Sequence, residues 1–115
     1  MTYQKIIDEI KKKEKEIVDF INEAKVIRYI SHLDADGLCC AGMTLRLLTK
    51  SKKKFHLSIL RQLDKDAIAE LSKEHYTHYI FTDIGSSQIG HLKDIISTKK
   101  VMIWDHHIPH EDLFE

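Results

Sequence analysis

Residues 26–50, VIRYISHLDADGLCCAGMTLRLLTK, decide the fold. A short β-rich run passes through an acidic turn directly into a helical pattern. Val26–Ser31 is rich in β-branched and aromatic residues and is short enough for a strand. From Asp36 to Thr49, Leu38, Ala41, Leu45 and Leu48 fall on one helical face. Lys50, Lys52, Lys53 and Lys54 then carry the charge sign that a helix dipole favours at its carboxyl end. A nucleic-acid backbone could also use that lysine run, but a solvated helix end needs no partner.

Strands and helices go on alternating downstream, with no internal repeat or linker. Phe55–Leu60 reads as a second strand and Asp64–Lys73 as a second crossover helix. Tyr76–Asp83 reads as a third strand. Ser86 or Ser87 can cap a helix running to about Ser97, with Ile89, Leu92, Ile95 and Ile96 on its apolar side. Val101–Trp104 reads as a fourth strand. Strands alternating with helices of roughly ten to fourteen residues imply a parallel sheet with right-handed crossovers. The expected class is α/β, a Rossmann-like parallel sheet.

Upstream, residues 3–24 predict a helix. Ile6, Ile10, Ile17, Phe20, Ile21 and Ala24 form one stripe, and Lys11–Glu16 the wet face. Residues 1–24 are therefore expected to pack as an amphipathic helix on a domain spanning residues 25–115, with partner binding the other use of such a helix.

Bulk properties exclude little. At 115 residues, 43% hydrophobic and 31% charged, the chain has the composition of one ordinary globular domain. Its formal net charge of zero provides no global field to recruit nucleic acid or membrane. No apolar run is long enough to span a bilayer, and the amino terminus has no signal-peptide pattern. Cys39 and Cys40 are adjacent, which argues against a disulfide framework and for a reducing cytoplasm. In the first crossover helix they are expected to be small core residues. His56, His75, His78, His91 and His110 lack ligand spacing and are expected at the surface or at strand edges.

The acids are where the chemistry is expected. Open parallel sheets bind ligands beyond the carboxyl ends of their strands. The first strand leads into His32-Leu33-Asp34-Ala35-Asp36-Gly37, the third ends at Asp83-Ile84-Gly85, and the fourth at Asp105-His106-His107. The second ends at Leu60-Arg61-Gln62, without such a group. Any one acid could be a helix cap or turn former. Three strand ends together make that reading hard to sustain. If those strands are neighbours, Asp34, Asp36, Asp83 and Asp105 share a small region with the histidines. Two carboxylates about 4 Å apart repel by roughly 4 kcal/mol at an effective dielectric near 20, and several such pairs rival a domain's net stability. Either protons or cations must intervene. Carboxylate and imidazole without thiolate suit manganese, magnesium, iron or zinc. So many donors suit two ions that clamp a phosphate and acidify a water. Gly37 and Gly85 would leave room for backbone to approach the metal or phosphate.

These residues carry a resemblance. His32-Leu33-Asp34-Ala35-Asp36-Gly37 resembles the first motif of the DHH superfamily of phosphoesterases, Asp83-Ile84-Gly85 its second, and Asp105-His106-His107 its eponymous triplet. An isolated D-x-D-G also occurs in haloacid-dehalogenase phosphatases, but there a threonine follows, where this chain has Leu38. The likeness runs from about Val26 to Pro109. The Asp-Ala-Asp-Gly form and the leading helix look more like the RecJ-type exonucleases. Family II pyrophosphatases and nanoRNA or cyclic-dinucleotide phosphodiesterases place a histidine where this chain has Ile30.

The resemblance implies manganese, two ions, with magnesium as an alternative. Asp34 would bind the first ion with His32 as helper, Asp36 and His106 the second, and Asp83 would bridge them. Asp105 would be a ligand or lie just behind. His107 would contact the scissile phosphate or orient the attacking water. Asp36, Asp83, His106 and His107 are thus the expected catalytic set. The implied activity is hydrolysis of single-stranded DNA or RNA by an amino-terminal part that lacks the superfamily's fourth motif and second domain. The rival readings are a non-catalytic scaffold for nucleic acid or replisome proteins, and a phosphoesterase for small substrates.

Overall fold

Four parallel strands form one sheet in the order β2-β1-β3-β4. They are β1 (Val26–His32), β2 (Lys54–Leu60), β3 (His78–Thr82) and β4 (Lys100–Trp104). The computed structural model describes residues 2–105, apart from the side chains of Ser86 and Ser87. Strand β1 lies between β2 and β3, with Tyr29 beside Leu57 on one side and Ile80 on the other. Both central strands are covered on both faces. Ile27–Ser31 and all of β3 are buried, so they read as nearly continuous apolar runs, as central parallel strands do. The expected α/β class and parallel sheet are what the chain adopts.

The core lies in two layers, one on each face of the sheet. On one face, Ile27, Tyr29 and Ile80 pack against Phe20, Ile21 and Ala24 of the amino-terminal segment and Ala41 and Leu48 of the first crossover helix. These helices are α1 (Tyr3–Glu23) and α2 (Ala35–Lys50). Only the carboxyl-terminal part of α1 is packed, and residues 2–16 are exposed. On the other face, Ile30, Tyr79 and Phe81 pack against Ile68 and Leu71 of α3 (Lys65–Ser72) and Ile95 of α4 (Lys93–Thr98). Away from the acidic strand ends, buried Arg28 is paired with Glu74 and donates to Ser58 Oγ and the His56 carbonyl. Those partners are what make a buried guanidinium tolerable.

The structure differs from the pattern reading in several places. The helix expected from Ser86 or Ser87 to Ser97 is a 3-10 segment over Ser86–Leu92, and α4 begins only at Lys93. Gly90 lies inside that segment, where it weakens an α-helix by about 1 kcal/mol, and the preceding cap is Gly85 at φ +114°. Strand β3 begins at His78, two residues later than expected, because Lys99 Nζ takes the carbonyls of Glu74 and Tyr76. His78, the first residue of β3, is buried edge-on to the Phe20 ring at 5.0 Å, where a surface or strand-edge position was expected.

Candidate metal centre

Strands β1, β3 and β4 are consecutive in the sheet, so the three acidic strand ends are neighbours. From β1 the chain steps outward to β2, then crosses back over β1 to β3. The boundary between β1 and β3 is therefore the topological switch point, where open sheets bind ligands.

The first turn out of β1 is held by Gly37. Its N–H donates to Asp34 Oδ1 at 2.8 Å, making Asp34 the N-cap of α2. A Cβ on residue 37 would meet the His32 carbonyl oxygen at 1.8 Å. The glycine is needed for this contact with its own chain. Gly85 has ordinary room, its nearest neighbour being Ile103 at 3.5 Å, and is needed for its positive φ.

Asp83 follows β3 in left-handed backbone at φ 58° and is 1% exposed. Its N–H donates to the Trp104 carbonyl, which ties it to β4. A buried carboxylate on strained backbone marks a place where the fold opposes local preference.

His32 joins the two acids. Its Nδ1 lies 2.8 Å from Asp34 Oδ2 and 3.5 Å from Asp83 Oδ2. Its Nε2 lies 2.9 Å from the Arg61 carbonyl, which can only accept, so Nε2 carries a proton. In the neutral ring, Nδ1 then turns a lone pair toward the two carboxylates. A proton or a cation must lie between them. One donor atom from each of His32, Asp34 and Asp83 lies within 4.8 Å of the others. Adjacent ligands of an octahedral ion with bonds of about 2.1 Å stand about 3 Å apart, so the spacing suits a divalent cation. The imidazole and carboxylates, without thiolate, suit manganese or magnesium.

Asp105 directly follows β4 and shares a cleft of about 160 Å³ with His32 and Asp83. Asp36, in the first turn of α2, is exposed and is not a member of the three-residue cluster. His106, His107 and His110 lie outside the described residues. Arg61, Gln62 and Gln88 also line the cleft. Pattern reading gave the first two no role because β2 ends without an acid, yet their place just after a strand of the same sheet was the available signal.

The cysteines are not core residues: Cys39 is exposed and Cys40 half-buried. Burial, and after it the negative charge of Asp83 and Asp36, pushes the Cys40 thiol above its ordinary value. It therefore stays protonated and is a poor ligand. Among the described residues, no helix is long and apolar enough to cross a membrane.

No protein-family model matches the chain. An uncharacterised protein of Methanocaldococcus jannaschii is 36% identical over 107 residues, which are 90% of this chain and 24% of that protein. The chain thus spans about a quarter of its curated relative. Two solved structures share the fold over 85% of the chain. RecJ in complex with Mn2+ from Thermus thermophilus has a TM-score of 0.68 at 21% identity, with 14% of its length covered. Exonuclease RecJ bound to manganese has a TM-score of 0.70 at 20% identity, with 27% covered. Over that stretch the chain has the fold of the RecJ structures.

Proposed function

We propose that this chain is the metal-binding part of a manganese-dependent phosphodiesterase acting on single-stranded DNA or RNA as an exonuclease. The convergence of His32, Asp34 and Asp83 at the switch point carries the reading. The manganese and the exonuclease name of the RecJ structures support it.

Asp34 and His32 would hold one ion, Asp36 and His106 a second, and Asp83 would bridge the two, with Asp105 as a ligand or just behind. Magnesium would fit the same donors. When bound, the cations offset charge on the phosphoryl oxygens and acidify water. The protein's own part is to fix the donors before substrate arrives. Gly37 orients the Asp34 carboxylate, and the Arg61 carbonyl fixes the His32 tautomer. His107 would contact the scissile phosphate or orient the attacking water. Residues 25–115 would form the metal-binding domain, with residues 1–24 docked on it, and adjacent free cysteines suit a reducing cytoplasm.

The test is nucleotide release from an end-labelled single-stranded oligonucleotide, with and without manganese. Manganese-dependent release by the wild type, lost in Asp36→Ala, is the expected result. Its rate should be low, because the chain spans about a quarter of its curated relative and substrate positioning can account for several kcal/mol of a barrier. Equal oligonucleotide binding by both proteins, with no release, would favour the scaffold reading. Preferential cleavage of pyrophosphate or cyclic dinucleotides would give the small-substrate one.

A further inference from the structure

In the two central strands, directly before the acidic strand ends, lies a hydroxyl cluster that no step above uses. Tyr29, Ser31 and Thr82 are all buried. Tyr29 OH lies 2.5 Å from Thr82 Oγ1, and Thr82 Oγ1 lies 2.9 Å from Ser31 Oγ. Ser31 Oγ in turn reaches the carbonyls of Gly37 at 2.9 Å and Thr82 at 3.2 Å.

Proton counting gives the cluster one direction. Both carbonyls only accept, so the single Ser31 proton points at them. Ser31 must then accept from Thr82, whose proton is thereby used, and Tyr29 must donate to Thr82. Three hydroxyls thus run one way, Tyr29 to Thr82 to Ser31, and end on the Gly37 peptide. Hydrogen bonds aligned in this way polarise and strengthen one another.

The ends of the relay matter for the site. The Gly37 residue whose carbonyl accepts from Ser31 is the one whose N–H holds Asp34 Oδ1. Thr82 immediately precedes Asp83, and Ser31 immediately precedes His32. His32, Asp34 and Asp83 are therefore each tied, through a covalent neighbour or through Gly37, to the same buried relay. We infer that Tyr29, Thr82 and Ser31 are positioning residues that set the mutual geometry of His32, Asp34 and Asp83 for a divalent cation. The inference rests on the metal-centre reading above.

The experiment is manganese binding by calorimetry on the wild-type chain and four variants, each first shown by circular dichroism to be folded. Thr82→Val keeps the shape and deletes the hydroxyl, whereas Thr82→Ser keeps the hydroxyl. Thr82→Val and Ser31→Ala should weaken manganese binding by about tenfold or more, the usual effect of losing a group that orients a ligand. Thr82→Ser should bind like the wild type, and Tyr29→Phe, at the far end, should lose least. A merely structural hydroxyl would lower stability without this rescue or this ranking. If Thr82→Val does not fold, the Ser31→Ala and Tyr29→Phe pair carries the same ranking. Wild-type affinity in Thr82→Val or Ser31→Ala would overturn the positioning role alone. Failure of the wild type to bind manganese would overturn the metal-centre reading and the inference with it.

Discussion

The Gly37 α-carbon faces the carbonyl oxygen of His32 so closely that a Cβ would stand 1.8 Å away. Neither partner can yield, because both belong to the backbone that carries the acids. Gly37→Ala should therefore destabilise the chain by about 3 kcal/mol, at the upper end of overpacking costs. Gly42, also in α2, has nothing within 4 Å of its ideal Cβ. Gly42→Ala should stabilise by about 0.5–1 kcal/mol through helix propensity and unfolded-state entropy. Urea denaturation of the two variants checks both signs, and equal midpoints would contradict the steric account.

The second prediction is a loss of stability at high pH. Burial first, and the nearby Glu74 carboxylate second, push the Tyr79 phenol up to about 12. Its hydroxyl donates to the Leu71 carbonyl from the core. The unfolded phenol titrates near 10, so the neutral form is favoured by the fold. Its contribution is present in full below pH 10 and is lost as pH rises from 10 to about 12. That amounts to at most about 3 kcal/mol. Unfolding free energies across this range should fall more steeply for the wild type than for Tyr79→Phe. Parallel curves would show that Tyr79 is not the group responsible.

His106 and His107 follow the β4 strand end and are proposed to act differently. His106→Ala should weaken manganese binding as the loss of a ligand does, and His32→Ala should do the same. His107→Ala should leave affinity nearly intact and lower the rate of oligonucleotide cleavage. Calorimetry on the three variants separates these outcomes, and equal affinity losses for His106→Ala and His107→Ala would show the division of roles to be wrong.

Much of the architecture was legible because parallel strands declare themselves in short apolar runs, and β1 and β3 are such runs. The acidic strand ends were legible for the same reason: once the strands are placed, the residue after each is placed too. Adjacency was not legible. That β1, β3 and β4 are neighbours depends on the chain crossing back over β1, which local pattern does not encode. The burial of His78 was not legible because it comes from Phe20, far away in sequence, packing edge-on to its ring. The 3-10 segment over Ser86–Leu92 was hidden because its apolar spacing also suits an α-helix, and only Gly85 and Gly90 tell against that. The glycines also have reasons within the chain that pattern did not show. Space at Gly37 is taken by the chain, and Gly85 answers to backbone angle.

The measurement that bears most directly on the metal centre is thermal unfolding of the wild type and Asp83→Asn, with and without saturating manganese. Asparagine is nearly isosteric and tolerates the left-handed backbone of residue 83, so the variant should fold. It removes the buried carboxylate proposed to bridge the ions. With manganese, the wild type should melt higher, by about 2.7 kcal/mol of added stability at a hundred times its dissociation constant. The variant should show little response. A wild type whose melting is unmoved by saturating manganese, or a variant that responds equally, would contradict the assignment of these acids to a metal.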